Sequence, residues 1–435
     1  MINFFTDPIL RAPTIGCMLM CLTCALVGVI VFIRKESLLG ETLAHATYPG
    51  IMAGALLIAM TSLQSFLVWG LIGAAVTCIL SLLLLNFVKK RLRLKNDSAL
   101  CFTLTLFFGI GLTFSSYLQT FNSSAYKQAR VFLFGQAATI TDSYIYIYLL
   151  FTLIVVAIVF IFYRQIQIAN LDPIFAQAVG VNSKFILVLC YGLLITSIAI
   201  GIRSIGLFLL SGMLIGPAIA ARQWTDRLSR MFILAALIGL LCGYAGIFIS
   251  VQVAQNSSYA HSLATGPTIL LVSAAISLFS LIFAPKRGWV IRYLRIMKFK
   301  KQCNEENILK SLWHLEKKSP QGANAQEIFA FQGLSKIHFM LLLVYLDLKG
   351  NLLKVNENLH LTKKGKRRAE HIVRMHRLWE LYLVHIGVGI DKVHHNAEEM
   401  EHIITPQIEE ELLQLMKNPT KDPHDQPIPT GGVTC

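Results

Sequence analysis

Over residues 1–285 the chain alternates long apolar runs with short polar breaks. A membrane-spanning helix needs about 20 consecutive apolar residues. Runs at about 14–33, 44–61, 65–88, 99–120, 143–163, 185–202, 205–221, 231–252 and 266–284 meet this, which predicts about nine transmembrane helices. The second is the weakest, because His45, Pro49 and Gly50 interrupt it. After residue 285 the apolar positions become shorter and periodic. Helices are expected over about 305–317, 325–331 and 335–348, with Gly333 at a turn and Gly350 at a helix end. Residues 351–361 alternate like a hairpin, and helical periodicity returns over 364–384 and 391–403. Three short helices followed by a β wing is the winged helix-turn-helix pattern, in which the second helix of the pair enters a major groove. The fold class is thus an all-α polytopic membrane domain over 1–285, a basic juxtamembrane linker over 286–302, a winged helix-turn-helix domain over 303–370 and a helical domain over 371–435.

Composition sharpens this division. Hydrophobic residues make up 55% of the 435 positions, charged residues only 14%, and the mean hydropathy is +0.59. Soluble domains carry about 25% charge. These values exclude a disordered chain, a disulfide-rich secreted scaffold and an ordinary cytosolic enzyme. Residues 1–285 hold 16 Lys/Arg, 7 Asp/Glu and two of the twelve His; the last 150 residues hold the other 23, 17 and ten. Cys17, Cys21 and Cys24 lie inside an apolar run, where cysteine acts as a small hydrophobe. Cys303 and Cys435, the two in the polar part, have no metal spacing, and no removable signal peptide is expected at MINFFTDPILRAPT.

Orientation follows from Lys and Arg in the short loops. If Lys89, Lys90, Arg91, Arg93 and Lys95 are cytoplasmic, alternation places Arg34, Lys35, Arg164, Lys184, Arg222, Arg227 and Arg230 inside as well. Arg11, Lys127, Arg130 and Arg203 fall outside. This puts the N-terminus outside and the polar C-terminal part in the cytoplasm of an inner-membrane protein.

Within the spans the ionisable residues are informative, since such groups at membrane depth are costly and line pathways or pair. Glu41 and His45 are four apart, hence on one helical face. Pro49-Gly50 after them is expected to break the helix beside a cavity. The alternative is a capping Glu and an interfacial His. Gly239, Gly243 and Gly246 are expected to let helices pack closely. Between spans five and six, Asp172-Pro173 is a helix start and Gly180 a stop, so a short docking helix of about two turns is expected.

In the polar part, residues 286–302 carry seven basic and no acidic residues, interleaved with apolar ones. This reads as a juxtamembrane segment on anionic lipid, the alternative being a nucleic-acid patch. Lys363, Lys364, Lys366, Arg367 and Arg368 follow the wing, where phosphates of DNA would lie. On the helices beyond, His376 and Glu380 are four apart, His394 and Glu398 are four apart, and Glu398, Glu401 and His402 share a face. Imidazole and carboxylate without thiolate suit Mn²⁺, Fe²⁺, Co²⁺ or Zn²⁺. The alternative is a solvated charged face.

Two resemblances extend these readings. Ser37-Leu-Leu-Gly40-Glu41-Thr-Leu-Ala-His45-Ala46-x-x-Pro49-Gly50 resembles the signature of ABC-transporter permeases for manganese, zinc and iron, which usually have Asp where this chain has Glu41. Asp172-Pro173-x-x-Ala176-x-x-x-Gly180 is similar to that family's ATPase coupling loop, and Gly206–Arg222 and Thr265–Leu270 also match. The resemblance covers nearly all of 10–285 and implies a translocation pathway at Glu41 and His45. No G-x-x-x-x-G-K-[ST] phosphate loop occurs in the chain, so it implies a separate ATPase subunit, a second permease subunit and a periplasmic metal-binding protein as partners. Residues 305–430 are similar to the diphtheria-toxin-repressor family of metal-dependent regulators, through Leu361-Thr-x-x-Gly365-x-x-x-Ala369, Arg374-x-His376-Arg377-Leu378-x-Glu380, Lys392-Val-His394-x-x-Ala397-Glu398-x-x-Glu401-His402 and Asp422-Pro-His424-x-x-Pro427-Ile-Pro429. This implies that 371–435 is a helical metal-binding and dimerisation domain. Glu398, Glu401 and His402 would form a primary metal site and His376, Glu380 and His394 an adjacent one. Glu398, where iron-type members carry Cys, favours a hard ion such as manganese.

Two departures from that family stand out. Asn307 lies where its members carry an Asp or Met ligand. The recognition helix Ser335-Lys336-Ile337-His338-Phe339-Met340-Leu341-Leu342-Leu343 offers few polar groups to base edges beyond Ser335, Lys336 and His338. The third, barrel-like domain of some members is not expected. The reading is a divalent-metal permease subunit, itself not an enzyme, fused to a metal-dependent repressor that binds operator DNA as a dimer, with release by cleavage near 286–302 as an option. The rival makes the C-terminal part a metal-sensing gate that binds no DNA, and a second rival is a tethered receptor whose spans do not transport.

Overall fold

The computed structural model describes residues 4–61, 66–135, 140–202, 205–256, 264–319, 321–330, 333–355 and 358–429. Arg203, the hairpin tip at 356–357 and Cys435 lie outside the described residues. The chain divides into two compact units, Met1–Arg292 and Tyr293–Cys435.

The first unit is all helix: α1 (Arg11–Ile33), α2 (Ser37–Thr61), α3 (Phe66–Arg91), α4 (Asn96–Phe121), α5 (Ser123–Phe134), α6 (Asp142–Ile161), α7 (Tyr163–Leu171), α8 (Pro173–Ala178), α9 (Ser183–Gly201), α10 (Leu207–Trp224), α11 (Leu228–Asn256) and α12 (Thr265–Phe283). Among the described residues eight helices are long and apolar enough to cross a membrane: α1, α2, α3, α4, α6, α9, α11 and α12. The expected span at 205–221 is α10, an 18-residue helix carrying Pro217 and Arg222. Helix α5, between α4 and α6, falls where a loop was expected; it is the amphipathic segment carrying Lys127 and Arg130.

Helix α1 is the axis of this unit. Sixteen of its 23 residues are buried, Cys17, Cys21 and Cys24 among them. A helix apolar all round belongs in a core. Without a hydrophobic drive between helices in lipid, close approach depends on small side chains. A methyl on Gly28 would run into the Leu214 carbonyl of α10, and one on Gly239 or Gly243 of α11 would meet the α1 backbone at Cys21 or Met18. Gly246 likewise abuts Ile269 of α12. Buried hydroxyls also link helices within the bundle: Thr23 and Thr152 bridge α1 and α6 at 2.9 Å.

The expected break at Pro49-Gly50 does not occur. Helix α2 runs without interruption from Ser37 to Thr61. Tertiary packing overrides the roughly 3 kcal/mol preference against an internal proline. Gly50 and Gly54 press against the backbone of α3 at Gly73 and Trp69, and Gly111 of α4 leaves room for Tyr48 and Pro49.

Ionic contacts tie together helix ends that alternation places on one membrane face. Arg34 and Lys89, after α1 and near the end of α3, both reach Glu36, at 3.2 and 3.7 Å, and Arg34 donates to Asn170 of α7 at 2.9 Å. On the opposite ends, Arg11 meets Asp142 at 2.5 Å.

The second unit starts within α13 (Trp289–Lys318). This helix takes in most of the basic 286–302 stretch and the helix expected at 305–317 as one element. Then come β1 (Ala323–Asn324), α14 (Ala325–Ala330), α15 (Lys336–Leu348), β2 (Leu352–Val355), β3 (Asn358–Leu361), α16 (Lys363–His385), α17 (Ile390–Met400) and α18 (Pro406–Leu415). The strands form an antiparallel sheet in the order β1-β3-β2, so the winged helix-turn-helix is present. Its core is built from Leu309, Leu312, Trp313, Ile328, Phe339, Leu342, Leu346 and Leu352. Thr362 caps α16 by accepting from the Gly365 amide at 2.9 Å. The expected domain boundary at 370/371 falls within α16. The 422–429 tail folds back on that helix: Arg374 donates to the Pro429 carbonyl at 2.8 Å, Arg377 pairs with Asp422 at 3.2 Å, and Ile428 is buried beside Met375 and Leu378.

Gly28→Ala is expected to destabilise the membrane unit by about 1–3 kcal/mol, the usual cost of overpacking. A parental melting midpoint for the detergent-solubilised variant would refute the close α1–α10 approach.

Candidate functional site

Helix α16 presents His376 and Glu380 one turn apart on its buried face, and α17 brings His394 over them. His376 Nε2 lies 3.2 Å from Glu380 Oε1 and 3.3 Å from His394 Nδ1, and His394 Nδ1 also contacts Glu380 Oε1. All three donor atoms lie within 4.8 Å of one another. Donors at right angles on a metal at ~2.1 Å stand ~3 Å apart, so the separations of His376 from Glu380 and from His394 are those of neighbouring ligands in a coordination shell. Two imidazoles and a carboxylate fit Mn²⁺, Fe²⁺ or Zn²⁺. The site opens on a cavity also lined by Glu398, Asp422 and His424, and the His394 side chain is 68% exposed, which leaves an entry path.

The charges in the cluster support one another. Burial alone would push the Glu380 carboxyl up, but His376 and His394 override it and hold it down at about 2. Burial would likewise lower His376, yet its bonds to Glu380 and Glu401 keep it above the usual imidazole range. Glu401, on burial alone, would be raised; His376 and Lys310 hold it below the usual carboxylate range.

Of the expected primary set Glu398, Glu401 and His402, the last two are neighbours, with His402 Nε2 3.6 Å from Glu401 Oε1, while Glu398 stands apart from them. Glu398 is exposed on the cavity beside His394. Glu401, just past α17, points into the unit, where Lys310 of α13 reaches its two oxygens at 2.7 and 3.0 Å and His376 Nδ1 lies 2.5 Å away. His402 Nδ1 bonds Glu306 at 2.7 Å and its Nε2 bonds Asn307 at 3.0 Å. Burial would raise the Glu306 carboxyl, but His402 and Gln302 bring it below its usual range. Lys310 and Glu306 went unmarked in the sequence, although Lys310 is three residues from Asn307 and so on the same face of α13.

On the winged helix, Ser335 caps α15 by accepting from the His338 amide at 3.4 Å, and Lys336 and His338 are exposed in its first turn. Lys363, Lys364, Lys366 and Arg367 are exposed at the start of α16. Arg368 is engaged elsewhere, 3.6 Å from Glu305 and 3.3 Å from Glu306. The outward face of α15 is apolar: Ile337, Met340, Leu341, Val344 and Leu348 are all exposed, Leu348 by 81%.

In the membrane unit Glu41 and His45 share a face of α2. His45 is almost fully buried, edge-on to Phe108 of α4 with ring centroids 4.9 Å apart, and Glu41 is half-buried. Between α7 and α9, Asp172 caps α8, accepting from the Ile174 and Phe175 amides at 3.0 Å each, with Pro173 in the first turn. Gly180 ends the motif at a φ of +82°, a left-handed conformation that suits glycine. Ala176 anchors α8 inward, while Leu171, Ile174, Phe175 and Val179 are exposed.

Residues 6–284 match the model of the ABC 3 transport family. The chain belongs to that family. Residues 362–430 of this ABC 3 chain match a second model, the metal binding and dimerisation domain of the iron dependent repressor. A probable metal transport system membrane protein of Chlamydia trachomatis serovar D is 34% identical over 98% of this chain and 97% of its own length. The manganese transport system membrane protein MntC of Bacillus subtilis is 28% identical over 85% of this chain and 83% of its own. Among solved structures, PsaBC from Streptococcus pneumoniae in complex with Fab superposes with a TM-score of 0.56 at 25% identity, over 67% of this chain and 96% of that one. The ABC 3 chain is therefore a multi-pass membrane permease that carries a repressor-type metal-binding domain.

Glu380→Gln removes the anion between two imidazoles. It is expected to weaken Mn²⁺ binding to the purified chain by at least ~10-fold, the scale of losing about 1.4 kcal/mol. Equilibrium dialysis against the parent checks this, and equal affinity would place the ion elsewhere.

Proposed function

We propose that the chain is the permease subunit of an ATP-driven importer of divalent metal, manganese or iron before zinc, and that its C-terminal unit senses the same class of ion in the cytoplasm and regulates transcription on operator DNA as a homodimer. The observation that carries this reading is the His376–Glu380–His394 cluster on a chain whose first 284 residues match a transport family. ATP hydrolysis resides in a partner ATPase, a second permease subunit completes the membrane pore, and a periplasmic binding protein delivers the ion. Support for the ATPase contact comes from α8: a capped helix with Leu171, Ile174, Phe175 and Val179 exposed in an otherwise polar loop is an apolar docking knob. Glu41 and His45 line the pathway, where a carboxylate and an imidazole replace part of an ion's hydration shell.

In the sensor, His376, Glu380 and His394 would hold the metal, which would supply positive charge to the carboxylate shared by α16 and α17. Lys363, Lys364, Lys366 and Arg367 meet DNA phosphates. A second reading, a metal-responsive gate on transport without DNA, is favoured by the apolar outward face of α15, which offers few donors or acceptors to base edges.

Three experiments test these assignments. Glu41→Ala and His45→Ala are expected to cut metal uptake by ~10-fold or more, about 1.4 kcal/mol in a binding or barrier step, with normal protein levels in the membrane; uptake at the parental rate removes both from the path. Asp172→Lys deletes a cap of about 1 kcal/mol and sets a cation at the positive end of α8. Uptake should then fall while the partner's ATPase runs unregulated, and full coupling would move the docking surface elsewhere. Replacing Lys363, Lys364, Lys366 and Arg367 by Gln should weaken Mn²⁺-dependent DNA binding and flatten its log–log salt slope by about 0.9 for each phosphate that is no longer neutralised. A parent chain that binds no DNA at any metal level, but whose uptake changes with Glu380→Gln, establishes the gate.

A further inference from the structure

Resting on the metal-sensing reading, we infer that Lys310 is a resident cation which fills the inner half of the cluster, so that the C-terminal unit binds one metal ion, at His376, Glu380 and His394, and excludes a second ion from Glu401. The residues around Glu401 do not fit a metal. The Lys310 ammonium lies astride the carboxylate, 2.7 Å from Oε2 and 3.0 Å from Oε1, where an ion held by Glu401 would have to stand. A lysine ammonium is a compact point charge with three donors and no acceptor. It satisfies a carboxylate but cannot join it as a ligand. Being tethered to α13, it competes with a free ion at high effective concentration. The remaining candidates for an inner site are also committed. Both His402 ring nitrogens are bonded, to Glu306 at 2.7 Å and Asn307 at 3.0 Å, with Glu401 Oε1 farther from Nε2 at 3.6 Å. Asn307 offers a neutral amide oxygen where a carboxylate would be wanted.

The same contacts give Glu401 a different task. Its side chain is fully buried, and Oε2 lies 2.5 Å from His376 Nδ1. The Lys310 ammonium also lies 3.2 Å from Nδ1, but the closer contact is to the Glu401 carboxylate, which can only accept. The Nδ1 proton therefore goes to Glu401, and Nε2, which faces Glu380 and His394, is left as the nitrogen for the metal. A metal-bound histidine usually donates its second N–H to a carboxylate, which fixes ring and tautomer. Glu401 is thus a positioning residue, held by Lys310 and acting through His376.

The test uses the full-length chain in nanodiscs, with Mn²⁺ counted by equilibrium dialysis and its environment read by electron paramagnetic resonance. The parent should hold one ion that is lost in His394→Ala. Glu401→Gln should keep that ion but bind it ~10–100-fold more weakly. Asn307→Asp with Lys310→Glu replaces the ammonium by carboxylate and should admit one further ion, close enough to the first to give a spin-coupled spectrum. Lys310→Met, which keeps the length and drops the charge, serves if the double variant does not fold; it too should raise the count above the parent's. Two coupled ions in the parent, with one lost in Glu401→Gln, would overturn the inference, as would an unchanged count in both Lys310 variants. If His394→Ala leaves the parental count unchanged, the sensing reading fails by itself; a gain on removing Lys310 would still uphold the exclusion.

Discussion

A carboxylate taken fully out of water keeps its charge only if partners replace the water, and the arrangement of the C-terminal unit turns on how Glu401 meets that demand. Desolvating an ion costs several kcal/mol. Glu401 recovers this from Lys310 on α13 and His376 on α16. Three helices distant in sequence are thereby brought to one point, since a shift of any one would strand a buried charge. Losing one partner of such a pair costs about 3–5 kcal/mol, which adds a directional constraint to the register that the apolar core sets between α13 and α16. The outward half of the cluster inherits this precision. His376 is clamped from behind, so its other nitrogen meets Glu380 and His394 at 3.2 and 3.3 Å.

The membrane unit obeys a different constraint. Every backbone polar group in lipid must be satisfied within the protein, and uninterrupted apolar runs of about 20 residues meet that demand as helices, so they can be read directly. The spans and the Asp172 cap were legible because each depends on neighbours a few residues away, and Gly239, Gly243 and Gly246 were legible as sites of close approach, though not their partners on α1 and α12. The continuity of α2 through Pro49 was not, because it depends on Gly73, Trp69 and Gly111, which belong to other helices. The polar unit divides the same way. His376 and Glu380, four apart on one helix, were visible as a pair. Glu398, Glu401 and His402 also looked like one face, yet the chain turns at the end of α17: Glu401 and His402 stay neighbours and take Lys310 and Glu306 as partners, while Glu398 faces the cavity. Lys310 and Arg368 were hidden for the same reason: only the fold sets an ammonium against Glu401 and a guanidinium against Glu305 and Glu306.

The winged helix carries two surfaces with opposing chemistry. The start of α16 presents Lys363, Lys364, Lys366 and Arg367 to solvent, and such cations bind phosphates without regard to base sequence. The outward face of α15 instead shows Ile337, Met340, Leu341, Val344 and Leu348. In a groove these would contact thymine methyls at best, while leaving base donors and acceptors unmet. Phosphate affinity and sequence discrimination thus come apart in this domain. Binding that leans on charge is steeply salt-dependent, so on the transcriptional reading operator choice depends on a dimer placing two weakly discriminating modules at a fixed spacing.

Joining a sensor to a permease has a thermodynamic consequence under either reading. If metal at His376, Glu380 and His394 biases the transport cycle, then by reciprocity the state of the cycle biases metal affinity by the same factor, typically about 5–150-fold. If instead the ion biases DNA binding, the shift cannot exceed its differential affinity for the two states. In both cases the number of ions sets the steepness. A single independent site needs about an 80-fold rise in free metal to go from one-tenth to nine-tenths occupied, by the arithmetic of a two-state population. Two cooperating ions would compress that range to about ninefold. By holding Glu401 with a lysine, each chain forgoes a second ion of its own, so its response is graded except where the two chains of a dimer couple. For a subunit that itself admits the metal, a graded response has a physical advantage: supply and sensing vary together, and a steep switch would close the path on small fluctuations in the ion it carries.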